Sequence, residues 1–105
     1  MNNVRRAAIE AVKAKVDELK QQLDDLHTLA DDLKESVEGY KAEEEEYLEN
    51  MPESLQNGSK GEQAQAAIDA LGEAVEKLET VVDKLGDADD ELEEVMERLS
   101  EATET

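Results

Sequence analysis

Apolar residues recur at alternating steps of three and four along the first half of the chain. They fall at Ile9, Val12, Val16, Leu19, Leu23, Leu26, Ala30, Leu33, Val37, Tyr40 and Tyr47, with Glu44 standing where another is due. This is the 3.5-residue period of a coiled-coil seam. Taking Ile9 as position a makes Val12, Leu19, Leu26, Leu33, Tyr40 and Tyr47 the d series. Between residues 2 and 49 only Gly39 interrupts, so the pattern predicts one long helix there.

The second half repeats the period through Ala64, Ile68, Leu71, Val75, Leu78, Val82, Leu85, Leu92, Met96 and Leu99. Asp89 takes the one vacant a position. The stretch "LGDADD" offers a glycine stop and an acidic cap, but the heptad register passes through Gly86 unbroken. A second helix is therefore expected over residues 60–101, with room for a bend at that glycine.

Between the two arrays lies "MPESLQNGSKGE", with the only proline of the chain. Pro52 suits the first turn of a short helix capped by Asn50. Asn57 and Gly58 tolerate the positive φ that a reversal commonly needs. Ser59 and Glu62 have the spacing of a capping box for the second helix. Met51, Leu55 and Gln56 are not demanded by this account; Met51 and Leu55 would close the open end of the seam or offer a docking point. The hinge, residues 50–59, thus folds the helices back antiparallel.

The predicted architecture is all-α: a single antiparallel two-helix coiled-coil hairpin. Two registers place a opposite d, with facing residue numbers adding to 108 or to 115, and the pattern fits both. The e positions of the first helix are Lys13, Lys20, His27, Lys34 and Lys41, against Gly72, Glu79, Gly86 and Glu93 on the second. That edge is suited to ion pairs. The g edge differs, because Ala67, Ala74, Val81, Ala88 and Val95 are small and apolar and Leu29 joins them from the first helix. A stripe this wide wants a third neighbour, so homodimerisation into a four-helix bundle, or a partner protein, is expected there.

Charge then narrows the function. The net charge is -19, with 39% charged residues and two aromatic side chains, both tyrosine. Such a chain repels nucleic acid and anionic membranes and attracts basic protein surfaces. Helices of some forty residues rise about 60 Å, giving roughly one net charge per 3 Å against one per ~1.7 Å in duplex DNA. Two hairpins side by side approach the duplex value, which suits a mimic that fills a basic groove. The run Glu43, Glu44, Glu45 and Glu46 is the densest acidic stretch and a candidate interaction face. There is no cysteine for thiol chemistry, and no apolar run suggests a leader or membrane span, so a cytoplasmic setting is expected.

Catalytic and metal chemistry find little support. The one histidine, His27, sits in the basic e row, where an ion-pair role is expected. Asp24 and His27 have an acid-x-x-His spacing, but the facing glutamates of a di-iron bundle are missing. Asp87, Asp89 and Glu91 imitate a calcium loop, but Leu92 stands where its glycine belongs. The chain is read as a non-enzyme without metal or other cofactor.

The segments "MNNVRRAAIEAVKAKVDELK" and "YLENMPESLQNGSKGEQAQAAIDALGEAVEKLE" resemble a group of small acidic helical-hairpin proteins of bacteriophages and prophages. The specific part of the likeness runs from Asn50 to Glu62. The resemblance implies a phage setting, hence the host cytoplasm, rather than a mechanism. It favours an inhibitor of a host nucleic-acid or defence protein over a structural accessory of phage assembly.

Overall fold

A computed structural model describes residues 1–104. It is helical throughout its ordered elements: α1 (Asn3–Glu49), α2 (Glu53–Gln56) and α3 (Ser59–Glu104). The second long helix therefore reaches further than the expected 101, and it runs through Gly86 without a break. Contacts group the chain into two compact units, one built from residues 30–81 and one from residues 1–29 with the chain from Val82 onward.

The unit of residues 30–81 contains the reversal. Here α1 ends and its last carbonyls need donors, since no further helical N–H follows. Gln56 supplies them: its side-chain amide donates to the carbonyls of Leu48 (3.0 Å), Glu49 (3.3 Å) and Met51 (3.0 Å). A residue that the sequence pattern left without a role is the C-terminal cap of α1. Pro52 opens α2, as expected, with φ -56° and ψ 142°, and its carbonyl accepts from the Leu55 and Gln56 amides.

Three expectations about the hinge are corrected. Asn50 does not cap α2, whose N-cap is Pro52 without a side-chain hydrogen bond. No residue has positive φ among those described; Asn57 sits at φ -86°, ψ -1°, so Asn57 and Gly58 turn the chain with right-handed backbone. Two corners separated by one helical turn divide the reversal, so neither needs the left-handed region. Ser59 and Glu62 form no capping box either. Ser59 is already the first residue of α3, and the Glu62 amide donates to the Gly58 carbonyl at 3.1 Å. Glu62 still places an acid in the first turn, favourable for the helix dipole.

The core of this unit gathers under the hinge. Met51, Gly61, Ala64 and Ile68 are buried, as is Ala30 on α1. Met51 thus closes the end of the seam, while Leu55 stays exposed. Gly61 is required by contact: a Cβ there would lie 1.8 Å from the Gln56 carbonyl oxygen. α3 enters directly against α2, and only a missing side chain permits that approach.

In the other unit the ends of the helices hold each other. Asn2 caps α1 through its Oδ1, which accepts from the Arg5 amide at 2.8 Å. The Arg6 Nε donates to the Thr103 carbonyl at 3.1 Å, giving the last turn of α3 a cation from α1. Lys20 pairs across with Glu93. In the hinge-containing unit Lys34 pairs with Glu79 at 3.3 Å, and Lys41 lies against Gly72.

These contacts select a register. Side chains lean toward the N-terminus of their helix, so each lysine meets an α3 residue displaced in that direction from its own level. The Arg6–Thr103 bond in one unit, and α1 ending at Glu49 as α3 begins at Ser59 in the other, fit facing numbers near 108. The 115 register would displace the helices by about 10 Å.

Two glycine substitutions test this description with opposite signs. Gly61→Ala should destabilise the chain by more than about 2 kcal/mol, because backbone atoms must move. Gly86→Ala should stabilise it by about 0.5–1 kcal/mol, since nothing lies within 4 Å of the new Cβ and alanine favours helix. Urea unfolding followed by circular dichroism measures both. Gln56→Ala should cost about 1–2 kcal/mol through the orphaned α1 carbonyls.

Candidate interaction surface

The heptad pattern assigns α1 an a/d seam, and the structure corrects this to a/e. Ile9, Lys13, Val16, Lys20, Leu23, His27, Lys34, Val37 and Lys41 are all half-buried, with Ala30 buried. The d series, in contrast, is open: Leu19, Leu26 and Leu33 retain 45%, 49% and 49% of their exposure, and Tyr40 retains 59%. The lysines are the better covered, with the side chains of Lys13 and Lys20 at 19% and 21%.

The reason lies on α3, whose facing e row alternates glycine with glutamate. Gly72 leaves room for the Lys41 stem, whose Cε and Nζ lie 3.7 Å from where a Cβ would stand. Glu79 binds Lys34, His27 and Gly86 line one groove, and Glu93 binds Lys20. Lysine stems pack on apolar surface while their ammonium groups reach acid, so they compete with leucine for the seam. α1 turns its e row inward and its d row outward.

The expected g-edge residues fall on the open side. Leu29, Val81 and Val95 are exposed, while Ala67, Ala74 and Ala88 are half-buried. Each unit therefore presents an apolar strip made of the α1 d row and the α3 g row. Sequence reasoning found the α3 half and missed the α1 half, having assigned those residues to the seam. The alternation of glycine and glutamate opposite the lysines was the available signal.

Elsewhere the surface is acidic. Glu43, Glu45 and Glu46 are exposed and Glu44 is half-buried. Four successive residues step by 100° around a helix, so this run encircles α1 rather than forming one face. Glu45 is drawn to Lys41 at 3.7 Å. The ordered acidic rows are the b positions flanking the e edge, such as Asp17 and Asp24 on α1 and Asp83 and Asp90 on α3. The hinge residues Pro52, Leu55, Asn57, Ser59 and Glu62 are exposed, Gly58 is half-buried and Met51 is buried.

The two weak metal motifs do meet. Asp24, His27, Asp87 and Asp89 line one groove beside Gly86. Even so, no cluster of three or more His, Cys, Asp or Glu side chains has metal-binding geometry among the described residues. Asp89 has another role, because its charge, with the Glu93 hydrogen bond first and the Glu93 charge, holds Lys20 above its ordinary pKa of 10.5. Lys34 is raised likewise, first by its hydrogen bond to Glu79. No helix among the described residues is long and apolar enough to cross a membrane.

These shifts set a pH window. A lysine whose folded pKa exceeds its unfolded value stabilises fully below the unfolded pKa, and the contribution fades as pH rises through the folded one. The stability difference between the unaltered chain and Lys20→Met/Lys34→Met should hold steady from about pH 7 to about pH 10 and change above it. Urea midpoints across that range measure the difference; a change centred below about pH 9 would contradict the assignment. No protein-family model matches the chain, and neither a curated protein nor a solved structure shows significant similarity to it.

Proposed function

We propose that the protein is an acidic interaction module: a helical hairpin that dimerises through its apolar strip and binds a basic protein surface through its acidic rows. The observation that carries this reading is the open α1 d series, with Val12, Leu19, Leu26, Leu33, Tyr40 and Tyr47 all exposed beside the exposed Val81 and Val95 of α3. Contiguous apolar surface of this extent marks an interface. Pairing two strips would complete a four-helix bundle and leave the e edges, with their flanking acids, facing outward.

The net charge of -19 per chain then acts on the partner. Electrostatic complementarity raises encounter rates and orients the complex more than it adds affinity. A basic groove that normally holds nucleic acid offers the matching field. With the phage resemblance of the Asn50–Glu62 segment, this favours an inhibitor or DNA mimic acting on a host nucleic-acid or defence protein in the host cytoplasm. The apolar strip by itself also favours a second reading, in which dimerisation is the function and the chain is an assembly accessory.

Capture with the tagged chain separates these readings. A basic nucleic-acid protein retained at low salt, released as salt rises and displaced by duplex DNA, is the outcome expected of the mimic. Self-association without such capture would leave the accessory reading in its place. The dimer is tested by sedimentation: a dimer is expected at micromolar concentration. Leu19→Glu/Leu26→Glu should give a monomer that remains helical, because the altered positions lie outside the a/e seam.

A further inference from the structure

Resting on the proposed dimer, we infer its geometry: α1 of each copy packs against α3 of the other, with both hinges at the same end. The apolar strip is bordered by two rows of opposite sign. On the α1 side the c positions carry Glu18, Asp25 and Asp32, all exposed. On the α3 side the c positions carry Lys77, Lys84 and Arg98, also exposed, with Glu91 as the exception. Three of the four basic residues of α3 stand in this one row, although the helix is otherwise strongly acidic.

The two rows are not already satisfied by each other. Arg98 binds Glu101 within its own helix at 2.9 Å. Lys77 and Lys84 form no ion pair among the described residues, whereas Lys13, Lys20, Lys34 and Lys41 of the e row each have one. Basic residues left unpaired in a chain of net charge -19, at the border of an unburied apolar strip, point to an acid outside the chain.

A second copy presents that acid. Two dyads can bring apolar strips face to face. A dyad across the helices stacks α1 on α1 and α3 on α3, opposing acid with acid and base with base. A dyad along the helices stacks α1 on α3 of the second copy at unchanged level, antiparallel, and opposes acid with base. With facing numbers near 108, Asp25 then meets Lys84 of the second copy, and Asp32 meets Lys77. Glu18 meets Glu91, one like pair against two opposite pairs that the symmetry repeats. Charged flanking positions of this kind select orientation in helical bundles.

The chain has no cysteine, so introduced thiols report the geometry directly. Chains carrying Gln22→Cys and chains carrying Ala88→Cys, refolded together and treated with a short bismaleimide, should give the mixed cross-linked dimer as the main product. Both positions are g, one on each helix of the same unit. Charge reversal gives a second readout of opposite sign for the two dyads. Asp25→Lys should weaken dimerisation about tenfold in sedimentation, through two symmetric pairs, and Lys84→Asp in the same chain should restore it. A monomer of the unaltered chain would overturn the dimer itself. A dimer that yields no mixed product, or that Asp25→Lys strengthens, would overturn only this geometry.

Discussion

The lysines of the α1 e row, reaching over α3 to Glu79 and Glu93, are the constraint on which the surface depends. Each long stem must lie along the partner helix before its ammonium group can meet the acid, and Gly72 and Gly86 clear space for this in the facing row. The cost of this arrangement is paid by leucine. With a and e turned inward, the d row of α1 stands open although it is the more hydrophobic of the two. Exposed ion pairs contribute little individually, so burying lysine stems while leaving leucine half-exposed makes sense when another surface covers the leucine.

The hinge answers a different requirement. A chain that reverses between two long helices must satisfy the last carbonyls of one and bring in the other close by. Gln56 meets the first need and Gly61 the second, and the two are linked, because the Gln56 backbone occupies the space that a side chain at position 61 would take. Met51 then seals the end of the seam over Ala64 and Ile68, which form most of the small buried core. The hinge thus has a structural explanation for nearly every residue, and only exposed Leu55 is left for a partner.

Function follows from how apolar and acidic surface are divided. The apolar strip lies on the g edge and the ordered acids flank the e edge, so self-association and binding of a basic partner need not compete. An acidic chain that binds itself would ordinarily oppose its own association, because like charges accumulate. Concentrating basic residues at c positions of α3 offsets this locally, at the border where two copies would meet.

The sequence by itself determined the helical class, the extents of both long helices, the place of the reversal, the lysine-to-glutamate edge and the small-residue g row of α3. All of these follow from local periodicity, from the single proline, or from residue type at a repeating position. Tertiary structure decided the rotation of α1, the 108 register, and the roles of Gln56 and Gly61. Heptad spacing reports which residues share a helix face. It does not report which of two adjacent rows turns toward the neighbour, because lysine stems and leucine compete for the same surface and only the facing glycines settle the outcome. The hinge was misread for a similar reason: Ser-Lys-Gly-Glu has the spacing of a cap, but the close approach of α2 gives the glycine, not the serine, the decisive part.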